Sequence, residues 1–272
     1  MSQDPEQPRL TPYELVFGAD DMDDTLFPPI AEEAAARDVA LHDPDNFLFL
    51  TSVGKLLRGV AGEQVAGETM RQYGRLLYHA FHFWRHGRNL LVLDPAAARA
   101  LVDSPPAIDD WSLATPSPAG YLQLPRHLFW AAPAVGMRPE PADGFFWTFH
   151  DDSTAEPSLH VLLALGLRPD RPGVSVIPAE GVLDDVAHWA NVAGREGGAA
   201  DFESTMPGGE LDRLYSLETT AEVLKLASLC FWHISAHPET LGAREQADPA
   251  ADPGDPKRLP YSTLSFRRVV DG

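Results

Sequence analysis

Three histidines near residue 80 have the spacing of a chemical site. His79, His82 and His86 are separated by three and four residues, which places their imidazoles on one side of an α-helix. Imidazole can ligate a transition metal or transfer protons near neutral pH. However, the chain has no HExxH motif and only one cysteine. Two interpretations remain: a metal or acid/base site, or a polar helix face that is exposed or hydrogen-bonded to a covering loop.

A second candidate for acid/base chemistry lies farther along the chain. His150 and Asp152 follow a predicted strand, where they could form an acid/base pair or simply begin a turn. The sequence contains neither a GxSxG nucleophile motif nor a GxxxxGK[ST] phosphate loop. It therefore predicts no cofactor, and an enzyme is not the leading hypothesis.

The three histidines belong to a predicted helix that leads directly into a buried strand at residues 89–93. At 100° per residue, one side of the helix is apolar and predicts contact with the core. That side consists of Met70, Tyr73, Leu77, Ala80, Phe81 and Trp84. The opposite side is predicted to be polar and carries the three histidines. Gly87 suits the C-terminal cap, and Arg85 and Arg88 suit the negative end of the helix dipole.

The surrounding elements predict an α+β fold, in which an N-terminal helical layer packs on a mostly antiparallel sheet of about five or six strands. The other predicted helices cover residues 30–39, 45–59, 94–102, 183–192 and 217–237, the last being a buried C-terminal helix. The predicted strands cover residues 90–93, 120–124, 128–132, 144–149, 159–167, 173–177 and, at the end, 261–270.

The chain of 272 residues is long enough for one domain with a full core. We predict a single α+β domain over residues 25–242. An N-terminal tail and acidic loop over residues 1–24 precede it, and a flexible linker with a possible terminal strand over residues 243–272 follows it.

Composition restricts the possible partners and compartments. The formal net charge of −19 argues against broad binding to nucleic acids, which requires a basic surface. The single cysteine excludes a disulfide framework within the chain. We find no signal peptide and no apolar run long enough to span a bilayer, so the sequence predicts a cytoplasmic protein without membrane binding.

The aromatic strand at residues 144–149 raises a question about its two faces. Alternation sends Phe145, Trp147 and Phe149 to one face and Phe146, Thr148 and His150 to the other. Helices then cover both faces, or one face keeps an exposed aromatic groove that could bind a ligand.

The order of these segments resembles the type V-A anti-CRISPR proteins that recognise the nascent N-terminus of the CRISPR nuclease, and their bacterial relatives. The resemblance rests on YHAFHFWR at residues 78–85, NLLVLD at 89–94, GYLQLP at 120–125, LFW at 128–130, GFFW at 144–147 and LCFW at 229–232. It covers residues 72–178 and 217–238.

This resemblance implies recognition of a peptide or protein segment rather than turnover of a substrate. We place the expected peptide site in a groove between the sheet and the helix of residues 73–88. Its predicted residues are Trp84, Arg85, Arg88, Tyr121, Gln123, Trp130 and Trp147. Two alternatives stay open: a hydrolase that uses the histidine face with His150 and Asp152, and an immunity protein or antitoxin.

Overall fold

The computed structural model describes residues 9–18, 22–61, 67–102, 115–128, 130–131, 139–150, 157–166, 175–182, 211–245 and 258–265. Its helices are α1 (Pro12–Phe17), α2 (Met22–Ala36), α3 (Pro44–Leu48), α4 (Thr51–Ala61), α5 (Gly67–Arg85), α6 (Pro95–Val102) and α7 (Leu211–Ala236). Its strands are β1 (Leu90–Leu93), β2 (Ala119–Gln123), β3 (Trp130–Ala131), β4 (Glu140–His150), β5 (Ser158–Leu165), β6 (Ser175–Val182) and β7 (Tyr261–Leu264). None of the described helices is long and apolar enough to cross a membrane.

The strands form one mixed sheet in the order β6-β5-β4-β2-β1-β7, and the short strand β3 pairs with the first residues of β4. β1 runs parallel to both β2 and β7, and the other pairs are antiparallel. The predicted α+β class is confirmed. The possible terminal strand, predicted at residues 261–270, is present over Tyr261–Leu264 as β7, which pairs with β1 at one edge of the described sheet.

The predicted passage from helix to strand is confirmed at α5 and β1. The helix ends where Gly87 adopts a φ of 93° and Arg88 a φ of 56°. The amide of Arg88 donates to the carbonyl of Phe83 at 2.8 Å. The amide of Gly87 donates to the carbonyl of Trp84 at 3.2 Å. These bonds satisfy carbonyls at the end of the helix and turn the chain into β1.

Helices cover both faces of the sheet. On one face, Phe146, Tyr121 and Leu162 pack with α5 and the other N-terminal helices. On the opposite face, Phe145 and Trp147 pack with α6 and α7. The alternation predicted for β4 is therefore correct, and its two faces enter separate hydrophobic cores.

Several predicted helix boundaries differ from the structure; α7, for example, begins at Leu211 where we expected residue 217. The predicted helix at residues 45–59 is divided into α3 and α4, because Glu33 of α2 caps the beginning of α4. Its carboxylate accepts the amides of Thr51 and Ser52 at 2.8 and 2.7 Å, and these bonds hold its pKa well below the usual range. α2 begins at Met22, ahead of Pro28 and Pro29, where we expected a helix only from residue 30.

Part of the predicted N-terminal tail is folded. Thr11 and Glu14 form a capping box for α1, and Tyr13 and Phe17 of this helix are buried in the core. Glu14 also accepts the amide of Leu259 at 3.1 Å, which attaches α1 to the residues before β7. The predicted helix at 183–192 lies outside the described residues, as does much of the predicted linker at 243–260.

We expect Gly120→Ala to lower the free energy of unfolding by about 3 kcal/mol. A Cβ at Gly120 would overlap the indole of Trp147, which cannot withdraw because it packs against Phe231 at 5.3 Å between ring centroids. Gly54→Ala is the matched control, because no atom lies within 4 Å of its Cβ position in α4. Gly54→Ala should raise the free energy of unfolding by about 0.5–1 kcal/mol, because alanine has a higher helix propensity than glycine. Urea unfolding measures both, and equal effects would contradict the close packing of Gly120 on Trp147.

Candidate functional site

The histidine face of α5 is buried against the sheet. His79 and His82 are each 2% exposed. This corrects the prediction of a polar stripe along the helix at these two positions. The stripe is covered by residues 37–43, which connect α2 and α3, and by the ends of β4 and β5. Of the two interpretations, the buried, hydrogen-bonded face describes His79 and His82.

Six histidines from four parts of the chain meet there and form what we call the histidine cluster. The ring centroid of His82 lies 5.2 Å from that of His150 and 6.1 Å from that of His86. His150 in turn lies 5.7 Å from His42 and 6.3 Å from His160. His79 completes the cluster through Tyr78, whose ring lies within 6 Å of those of His79, His82 and His160.

Sequence reasoning missed His42, His160 and Tyr78. The signal for His160 was the register of β4 and β5, since His160 lies directly opposite Thr148 on the face that contacts α5. No local pattern points to His42, because it reaches the cluster only through the fold of residues 37–43.

The hydrogen bonds of the cluster determine where two of the ring protons lie. His82 Nε2 lies 3.1 Å from the carbonyl of Leu41, so it must carry the proton and donate. The Tyr78 hydroxyl donates to the carbonyl of His42 at 2.9 Å. That hydroxyl has no second proton, so His150 Nε2, 3.2 Å away, donates to its oxygen. His82 Nδ1 is then a bare lone pair, and it has no hydrogen-bond partner among the described residues.

Burial keeps these histidines neutral. Desolvation holds the pKa of His79 and His82 well below the usual value, and neighbouring histidines add to this effect. The same causes lower the pKa of His150 to about 4. Desolvation and the charge of Arg85 lower the pKa of His86 as well.

The candidate metal ligands do not form a coordination site in the described part of the chain. No group of three or more histidine, cysteine or acidic residues there has the arrangement that a metal ion requires. His79 uses its Nδ1 in a 3.0 Å hydrogen bond with Thr148, and His82 uses its Nε2 on Leu41. The rings of His82 and His86 are stacked, with 11° between their planes.

Arg88, one of the predicted peptide-binding residues, pairs with acidic residues of its own chain. Its Nη2 donates to Asp23 and Asp24, both at 2.7 Å, and its Nε donates to the hydroxyl of Tyr13 at 3.2 Å. Trp84 joins this group because its Nε1 donates to Asp24 at 3.3 Å. The predicted acidic loop thus anchors the end of α5. Arg85 beside them is exposed.

Tyr121 and Gln123 belong to another internal network. The hydroxyl of Tyr121 donates to Asp143 at 2.7 Å, and Arg9 binds the same carboxylate through Nε at 3.0 Å. Gln123 exchanges two hydrogen bonds with the backbone of Arg9. All three residues of the sheet in this network are buried. Their polar groups hold the N-terminal segment on the sheet.

The last two predicted residues lie on different parts of the molecule. Trp147 is 1% exposed, and it faces α7 on the side of the sheet opposite to Tyr121. Trp130 is 51% exposed and stacks on His127, with 5.5 Å between ring centroids. It pairs with Pro141 of β4, five residues along that strand from Phe146, the partner of Tyr121, which corresponds to about 17 Å. The seven predicted residues are therefore not brought together in one groove.

The similarity of this chain to known proteins is limited. No protein-family model matches the chain, and no match was found among curated proteins. Among solved structures, the chain is similar to "Crystal structure of AcrVA2" at a TM-score of 0.40 and 9% sequence identity, over 89% of this chain and 78% of that one. AcrVA2 is a type V-A anti-CRISPR protein, the family that the sequence motifs resemble. The similarity is distant, and no functional conclusion rests on it.

We expect Asp23→Asn to lower the free energy of unfolding by about 2–3 kcal/mol, because it removes the buried charge that partners Arg88. Asp24→Asn is the matched control, since Asp24 binds the same Arg88 nitrogen while being 52% exposed. Water screens the pair of Asp24 and Arg88, so Asp24→Asn should lower the free energy of unfolding by less than about 1 kcal/mol. Urea unfolding of both variants tests the assignment. Equal losses would contradict a structural role that depends on the burial of Asp23, which is fully buried.

Proposed function

We propose that this protein is a non-enzymatic recognition protein that binds a segment of a protein partner, with Trp130 at the centre of the binding surface. The observation that carries the proposal is the exposure of Trp130. Half of its indole remains in water, whereas Trp147 and Tyr121 of the predicted set are buried and Trp84 is partly buried against the α5 core. Tryptophan is enriched at the energetic centres of protein interfaces because it offers a large, rigid contact area.

The backbone around Trp130 holds the indole outward. Ala131, its neighbour on β3, is fully buried against the α7 side of the sheet, so alternation turns Trp130 away from that core. The tight turn before it, closed by the amide of Leu128 on the carbonyl of Pro125 at 3.3 Å, brings His127 beside the indole. The two stacked rings are nearly parallel, with 20° between their planes. This stacking holds the indole in one orientation, so it loses little side-chain entropy on binding.

The aromatic surface at Trp130 and the net charge of the chain indicate which partner segment would bind. A flat aromatic face favours an apolar, proline or aromatic side chain on the partner. The chain's net charge of −19 favours a segment with flanking basic residues, which long-range attraction would bring to the surface faster than an acidic one. Arg85 is the other exposed member of the predicted set, but it lies at the far end of the sheet from Trp130.

The hydrolase alternative receives less support from the geometry. A general base must contact the group from which it takes a proton. His79 and His82 are almost completely buried, and their described hydrogen bonds go to Thr148 and Leu41. Asp152 lies outside the described residues. An immunity protein or antitoxin would be a particular form of the recognition we propose, because such proteins neutralise a partner by binding it.

We expect Trp130→Ala to weaken binding of a recognised peptide roughly 30-fold, the loss typical of an interface hot spot. Peptides would first be selected from a displayed random library against the intact protein, and their affinities then measured by calorimetry. Trp232→Ala is the matched control, because Trp232 of α7 is 47% exposed and should leave the affinity unchanged. Failure to select any peptide, or equal affinities for the wild type and Trp130→Ala, would overturn the proposal.

A further inference from the structure

The histidine cluster has no role in the proposed recognition surface, yet it contains six of the chain's ten histidines. Desolvation lowers the pKa of His79, His82 and His150 within this cluster, so their imidazoles are stable there in the neutral form. A proton on His82 or His150 would place a charge in a region that offers little water and lies near the positive charge of Arg85.

Most groups that act on His82 and His150 disfavour a positive charge there; the exception is the carbonyl of Leu41, which accepts from His82 Nε2. α5 contributes Arg85 and His86, residues 37–43 contribute His42, and β5 contributes His160. Arg75 of α5 acts in the same direction on His79. Glu180 of β6 lies in register opposite His160, one strand farther from His150. Asp43 uses its carboxylate to cap α3 through the amide of Asp45 at 2.8 Å. Among the described residues, no carboxylate is one of the principal charges acting on His82 or His150.

The tautomers show where an added proton must go. His82 and His150 already donate through Nε2, so each can accept a proton only at Nδ1. His82 Nδ1 is buried without an acceptor in the described part of the chain. A protonated His82 would therefore hold an unsatisfied donor as well as a buried charge. The cluster relieves both only by opening to water.

The covering segment, residues 37–43, is the part that can move with the least loss of packing. Its polar contacts with α5 include the His82 bond to the carbonyl of Leu41 and the Tyr78 bond to the carbonyl of His42. Its apolar residues Val39 and Leu41 are only partly buried, whereas α5 packs on β2, β4, β5 and β6. Local opening of this kind occurs at segments with few buried contacts.

We propose that the histidine cluster is a proton-sensitive latch: protonation of His82 and His150 releases the covering segment from α5 and exposes the imidazoles beneath it. This device is independent of the surface around Trp130 and goes beyond the proposed function. It would allow a change in pH to alter one local region while the sheet and its two cores remain folded.

The direction of the pH dependence follows from linkage. When the segment is open, the water-exposed imidazole of His150 has the ordinary pKa of 6.5, and in the closed state its pKa is about 4. Between these values the open form binds more protons, so the closed form loses stability as the pH falls below 6.5. The lowered pKa of His82 changes the stability of the closed form in the same direction. Above the ordinary pKa of histidine, the latch stays closed.

Hydrogen exchange measured by mass spectrometry tests the latch. After correction for intrinsic rates, lowering the pH from about 7.5 to about 5 should accelerate exchange in peptides covering residues 37–43 roughly 10-fold. Amides of β4 and β5 should keep their protection. His82→Gln/His150→Gln should remove the acceleration, because glutamine can still donate to Leu41 and Tyr78 but does not titrate. His237→Gln, at a half-exposed histidine outside the cluster, should retain it.

Several results would overturn the proposal. These are an absence of acceleration in the wild type, equal acceleration in β4 and β5, or undiminished acceleration in the double variant. If circular dichroism shows that the double variant does not fold, the single variants decide. Each should then reduce the acceleration relative to His237→Gln, and two singles that match the control would exclude the latch.

Discussion

The alternation of side chains along β4 is the constraint on which the rest of the structure depends. Phe145 and Trp147 enter the core beneath α7, and Phe146 and Thr148 enter the core beneath α5. A shift of one residue in register would exchange these two sets. Because helices cover both faces, any polar side chain on this strand must find its partner inside a helical layer. His150 is such a residue, and its position explains why histidines from other elements gather around it.

The layer beneath α5 satisfies its buried polar groups in two ways. At the end of α5, Arg88 meets Asp23 and Tyr13, so opposite charges compensate one another. Along its middle, His79 and His82 are buried without a counter-charge among their principal neighbours, and they remain neutral. The first arrangement places a buried carboxylate against a guanidinium. The second holds only while the imidazoles stay neutral.

Packing also determines which residues are left for recognition. The aromatic and polar residues that the motifs suggested for a peptide groove are mostly used to hold the fold together. Tyr121 and Gln123 fasten the N-terminal segment, and Trp147 fills the space left by Gly120. Trp130 differs because its strand has only two residues and its neighbour Ala131 occupies the core. This backbone geometry, together with the stacking of Trp130 on His127, supports the proposed role of the indole in binding a partner.

The sequence by itself determined the local elements: the helix that leads into β1, the α+β class and the alternation on β4, because these follow from periodicity and turn residues. Only the tertiary structure determined which residues pack against each face of the helices and strands. Glu33 divides α3 from α4 although it lies 18 residues away along the chain. His82 is buried by Leu41, 41 residues away, so its own helix shows no sign of the cover. Contacts between residues so far apart depend on the complete fold, and a local pattern of residue types carries no information about them.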